Sequence, residues 1–173
     1  KYEESYTMYI CSVCGDSFKT DIVQATGSLG LAYELNENGG ITITGMGTCT
    51  DTEIVIPTTI DGYTVTAIAQ KAFAENSTIT YIKVSNTVNT IGARAFYKCT
   101  ALQEIFIPES VCEIGTQIFQ GCSNLTTVYY NGTYGNTENP FLCVSSIKTV
   151  VFGGSYVPSH IAQNATNLTT VVI

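Results

Sequence analysis

Cys11 and Cys14, followed directly by Gly15, are the first residues whose types and spacing could do chemistry. A C-x-x-C-G turn aims two thiolates at one point and forms half of a zinc knuckle. The other half is missing, because no second pair follows and the single histidine, His160, lies far along the chain. No metal site is assigned here: an adjacent disulfide or two free thiols is the favoured reading of the pair, with zinc as the alternative. His160 stands beside Pro158 and Ile161 with no H-E-x-x-H pattern, which points to a structural role. A Ser-His or Cys-His nucleophile would have to use it, and nothing in the sequence brings a partner to it. The 14 acidic residues scatter through turns without a paired acid–base constellation. Gly39-Gly40 belongs to a hairpin rather than to a phosphate-binding loop. No enzyme and no cofactor are expected.

The elements that must position any site are written as a repeat. Ile82-Lys-Val84, Val88, Ile91-Gly92, Ala95-Phe96, Cys99 and Leu102 are answered by Ile105-Phe-Ile107, Val111, Ile114-Gly115, Ile118-Phe119, Cys122 and Leu125 at a constant offset of 23 residues. Repeat starts at 54, 82, 105, 128, 150 and 171 give spacings of 28, 23, 23, 22 and 21. A period in the twenties belongs to a solenoid, in which each repeat is one coil and stacking buries the core. The long first coil carries an insertion, Ile60-Asp-Gly-Tyr-Thr, whose Asp-Gly is a turn signal. From residue 128 the array degenerates, with Phe141 and Ile147 in the Phe and Leu positions.

Alternation of side chains along a strand sends Ile105 and Ile107 inward and Glu104 and Phe106 outward. Stacking one such strand per coil makes a parallel sheet. Val111–Ile114 reads as a second extended piece with Gly115 at its corner, and 117–122 as a helical turn packing Phe119 and Cys122 inward. On the outward face, central positions give Val55, Lys83, Phe106, Tyr129, Val151 and Val172, and the preceding ones Glu53, Tyr81, Glu104, Thr127, Thr149 and Thr170. Tyr81, Lys83, Glu104, Phe106 and Tyr129 are the candidate ligand-binding residues, since an exposed aromatic patch is what a protein- or sugar-binding surface requires. The alternative is that β-branched and aromatic residues merely suit a strand face.

Residues 1–26 form a separate CxxC-containing segment, with strands 6–10 and 18–23 around the turn. Residues 27–53 are read as an N-terminal cap hairpin and lead-in, with Asn36–Gly40 as the hairpin turn. The repeats occupy 54–173. The 173 residues are 45% hydrophobic and 12% charged, enough to fill a core. A net charge of −7 repels phosphate backbones, so no nucleic-acid partner is expected. No apolar run reaches the roughly 18 residues of a membrane span, so no membrane insertion is expected. The polar start Lys1-Tyr-Glu-Glu lacks a signal-peptide pattern, and the chain reads as an internal fragment or mature form. Seven cysteines argue against a complete disulfide framework. Cys99 and Cys122 occupy equivalent places in adjacent coils and are expected to be buried free thiols. Five N-x-S/T sequons, at Asn76, Asn124, Asn131, Asn164 and Asn167, follow from a threonine-rich composition.

The run I-x-I-P-x-x-V-x-x-I-G-x-x-A-F-x-x-C-x-x-L resembles the BspA-like leucine-rich repeat, and Gly45–Pro57 is similar to the segment that precedes such arrays. The resemblance is strong over 41–127 and weaker beyond, where Asn131-Gly replaces the Pro and Pro140-Phe141 and His160-Ile161 replace Ala-Phe. It implies a right-handed β-rich solenoid with a parallel sheet on the concave side and short strands or helical turns on the convex side. It also implies a non-catalytic, secreted, extracellular or cell-wall-associated protein used for adhesion, binding a host or bacterial surface protein, and brings no catalytic or cofactor residues. The outcomes to weigh against it are a carbohydrate-binding accessory module, taking glycan on the same aromatics, and a passive structural spacer. A monomer is expected.

Overall fold

The computed structural model describes residues 7–10, 17–20, 27–132, 144–153 and 166–173. Near the start, β1 (Thr7–Ile10) and β2 (Ser17–Thr20) pair antiparallel. The Cys11–Cys14 turn between them, like His160, Phe141 and Cys143, lies outside the described residues. Twelve further strands follow. They are β3 (Ala32–Leu35), β4 (Ile41–Gly45), β5 (Glu53–Val55), β6 (Thr59–Ile60), β7 (Tyr63–Ile68), β8 (Tyr81–Lys83), β9 (Thr90–Ile91), β10 (Glu104–Ile107), β11 (Glu113–Ile114), β12 (Thr127–Tyr130), β13 (Thr149–Phe152) and β14 (Thr170–Val172).

The first sheet is wholly parallel, in the order β5-β8-β10-β12-β13-β14. Its register sets Ile54, Ile82, Ile105, Val128, Val150 and Val171 side by side, one per coil. All but Val171 are buried, as are Ile56, Val84, Ile107, Tyr130 and Phe152 two residues on. Period-2 alternation therefore holds in the first five coils and not in the last strand, β14, which is exposed throughout; the solenoid expected from the repeat is the observed architecture. Ser28 closes the outer edge of β5: its amide donates to Val55 O at 2.8 Å, and its hydroxyl accepts from Val55 N at 3.1 Å.

A second sheet runs β3-β4-β7-β9-β11, parallel except for the β3–β4 hairpin. The hairpin expected around Asn36–Gly40 thus extends this sheet, with Ile41 and Ile43 fully buried. The insertion is a second hairpin, β6–β7, turning at Asp61 (φ 51°) and Gly62 (φ 83°), the left-handed pair that a two-residue hairpin needs.

The third side of the coils that start at 54, 82 and 105 holds turns, and no helix occurs among the described residues. Here the expectation of helical turns needs refinement, for a reason visible in the backbone hydrogen bonds. Amides of Arg94, Phe96 and Lys98 donate across to Thr116, Ile118 and Gln120 of the next coil, while those of Ala95, Tyr97 and Cys99 donate back three residues to Gly92, Arg94 and Phe96. The coil before repeats this pattern: Lys71, Phe73 and Glu75 reach Ala93, Ala95 and Tyr97. Half the amides are thus committed to a neighbour, which an α-helix would forbid. The alternation is set by left-handed residues at matching places, Lys71, Arg94 and Gln117, then Glu75, Lys98 and Gly121. Between them Phe73, Phe96 and Phe119 stack at 5.8 Å, with rings 15° and 14° apart, forming the spine of the core. The Cys99 and Cys122 thiols are free, buried, and donate to Phe73 O and Phe96 O at 3.0 Å.

Candidate binding face

Tyr81, Lys83, Glu104, Phe106 and Tyr129 all point away from the core, on the three adjacent strands β8, β10 and β12. The shared register arranges them in two rungs. Glu104 pairs with Tyr81 on one side and Thr127 on the other; Phe106 pairs with Lys83 and Tyr129. The Phe106 and Tyr129 rings lie 6.4 Å apart at 36°, in contact across the strands. The sequence places an aromatic cluster here; in the structure Tyr81 lies two residues along the strand from the rung that holds the other two rings, and Lys83 stands directly beside Phe106.

The first rung has a further member outside the candidate set. Glu53 pairs with Tyr81 from β5, so the phenol is flanked by carboxylates on both neighbouring strands. Burial, then the charge of Glu104, then Tyr129 and Glu53, raises the Tyr81 pKa above the ordinary tyrosine value. Together with Thr80 and Gln103 these residues line a shallow recess of about 310 Å³. Lys83 forms no ion pair among the described residues; the ion pair found there, Lys98–Glu75 at 3.9 Å, lies on the turn side.

The other end of the strands opens into a groove of about 960 Å³. Val55, Lys83, Phe106 and Pro108 line it together with Leu29, Tyr33 and Asp61. Tyr33 donates its hydroxyl to the Asp61 carboxylate, linking β3 to the inserted hairpin. That hydrogen bond is the main reason why the Tyr33 pKa is raised. Leu29 is 74% exposed, an unusual position for a leucine at the rim of a groove. These contacts were not legible from repeat spacing, because Leu29, Tyr33 and Asp61 have no counterpart in any other coil.

Other polar groups serve the scaffold. Asn124 Nδ2 donates to Thr100 O and Asn167 Nδ2 to Ser145 O, both at 2.8 Å, one coil back in each case. Asn76 Oδ1 accepts from the amides of Thr78 and Ile79, and Asn131 Oδ1 from that of Gly153. Four of the five sequon asparagines thus act as structural side chains, and Asn164 lies outside the described residues. Among the described residues no group of three or more His, Cys, Asp or Glu side chains could hold a metal ion. Among the described residues no helix is long and apolar enough to cross a membrane.

Comparison with known proteins agrees with this geometry. The pattern of the BspA type leucine-rich repeat region matches six copies over residues 47–173. A leucine-rich repeat protein from Bacteroides capillosus is similar at 28% identity and a TM-score of 0.66, over 72% of this chain and 95% of that one. A second, from Eubacterium ventriosum, is similar at 25% identity and 0.61, over 82% of this chain but only 39% of its own length. A leucine-rich cell surface protein from Faecalibacterium prausnitzii shares the fold at 21% identity, with a TM-score of 0.53 over 83% of this chain and 49% of that one. Among curated protein sequences nothing matches. With its register, its buried repeat positions and a family pattern covering most of its length, the chain belongs to the BspA-type leucine-rich repeat family.

Proposed function

We propose that the chain is a non-catalytic interaction module that acts outside the cell and docks a surface protein of a host or another bacterium on the outward face of its first sheet. The carrying observation is the Lys83–Phe106–Tyr129 rung: two neighbouring aromatic rings and a cation with no ion pair among the described residues, on a parallel sheet held from behind by a continuous core. Rigid aromatic side chains and a nearby charge are the usual anchors of protein interfaces, because they bury much area while losing little rotamer entropy. The location outside the cell rests on the family and on the likeness to a protein described as a cell surface protein.

The test is a parallel screen of the protein and its Phe106→Ala/Tyr129→Ala variant against arrayed extracellular proteins and arrayed glycans. Binding to proteins that falls about tenfold or more in the variant is the expected result, since anchor truncations typically cost more than 1 kcal/mol each. Binding to glycans alone would convert the module into a carbohydrate reader. Protein binding untouched by the double substitution would move the interface off this face.

A further inference from the structure

The charge arrangement on this face carries the reading further, to the chemistry of the partner. The two rungs are electrically distinct. The first presents carboxylates from Glu53 and Glu104 on strands either side of the Tyr81 ring, each one strand spacing away, about 4.8 Å. The second presents Lys83 and the Phe106–Tyr129 pair. Glu53 and Glu104 are exposed and have no cation partner among the described residues, and Tyr81, half-buried, lines the recess with them. An aromatic face with a carboxylate on each side attracts a cation twice over, through the ring quadrupole and through two opposite charges. A neutral or anionic group placed there would gain neither and would leave the carboxylates repelling each other. The net charge of −7 also disfavours a second copy of this chain as the occupant.

We propose that the docking face takes a basic protein segment, whose lysine or arginine lies over Tyr81 between Glu53 and Glu104 while flanking apolar side chains cover Phe106 and Tyr129. The proposal rests on the docking face put forward above and adds the sign of the partner's charge. Lys83 lies two residues further along β8, on the second rung, so it repels a second cation from the aromatic pair and fixes which way the segment lies. Burial first, and after it the charge of Glu104 and of Glu53, raises the Tyr81 pKa.

The probes are two blocked peptides, three Leu-Lys-Gly units and three Leu-Glu-Gly units, titrated by NMR against the intact protein and its variants, each first shown by melting to be folded. The lysine peptide is expected to bind about tenfold or more tightly than the glutamate peptide, as like-charge juxtaposition costs several kcal/mol at close range. Glu53→Gln/Glu104→Gln should weaken the lysine peptide about tenfold, whereas Glu37→Gln/Glu113→Gln, the same charge change away from this face, should not. Tyr81→Phe should keep the binding, because the ring remains, and Tyr81→Leu should lose it. No binding of the lysine peptide, equal binding of both peptides, or full binding by Glu53→Gln/Glu104→Gln overturns the cation seat. If binding then still falls in Phe106→Ala/Tyr129→Ala, the docking face stands without it. Binding that ignores every substitution on the face overturns both.

Discussion

Phe96 and Phe106 stand ten residues apart and have opposite surroundings. Phe96 is fully buried and stacked between Phe73 and Phe119, so Phe96→Ala leaves a cavity in a column with no slack and should cost about 3–5 kcal/mol. Phe106 is half-buried on the outward face, and Phe106→Ala should cost about 1 kcal/mol or less while acting on binding. Urea denaturation of the two variants checks this directly. Tyr130 gives a pH signature. It occupies an inward strand position against Phe152, edge-on at 6.2 Å, and burial pushes its pKa up to about 12 from 10.0. Its neutral form is the one favoured by folding. Stability from this group is therefore complete below pH 10 and is lost as pH rises to about 12. The loss is roughly 2–3 kcal/mol, and Tyr130→Phe should flatten that part of the curve. Thiol reactivity follows burial too. The hydrogen bond with Cys122, then burial, pushes the Cys99 pKa up, whereas Cys112 is exposed. Brief alkylation read by mass spectrometry should label Cys112 in the native protein, and Cys49, Cys99 and Cys122 only after unfolding.

Coil corners show how one element constrains the next. A Cβ on Gly115 would collide with the backbone of Ala93, and one on Gly92 with that of Gln70. Backbone cannot rotate aside as a side chain can, so Gly115→Ala must pry two coils apart. A loss of about 1–3 kcal/mol is expected from calorimetry, although no side-chain contact is removed. The glycine was readable from sequence as a corner residue through its repetition 23 positions apart, and the inward strand positions were readable from alternation. The turn side was less legible. Its apolar spacing suits a helical turn, but the amides that would close such a turn donate to the next coil instead. No single repeat, taken alone, encodes that competition. Likewise the candidate rung was visible as Tyr81 and Glu104, while the matching place of Glu53 rested on a 28-residue offset that bridges the inserted hairpin. Contacts unique to one coil, such as Tyr33 with Asp61, have no periodic signal at all.

At the scale of the molecule, one continuous column of buried residues joins the coils from Leu31 to Phe152, so neighbours stabilise one another and the outward face inherits their rigidity. A face of fixed spacing, with rungs one strand apart, can read the pattern of a partner without first paying to order itself. This is where a surface adhesion role and a rigid spacer part company: a spacer needs the column, whereas a reader also needs Tyr81, Phe106 and Tyr129 outside it. Hydroxyl-radical footprinting, with and without a protein captured in the array screen, tests this most directly, because tyrosine and phenylalanine side chains are labelled in place. Protection concentrated at Tyr81, Phe106 and Tyr129, with Tyr63 and Tyr97 labelled as before, is the result expected of a docking face on the first sheet. Protection at Tyr63 or Tyr97, with the three face residues still fully labelled, would contradict it.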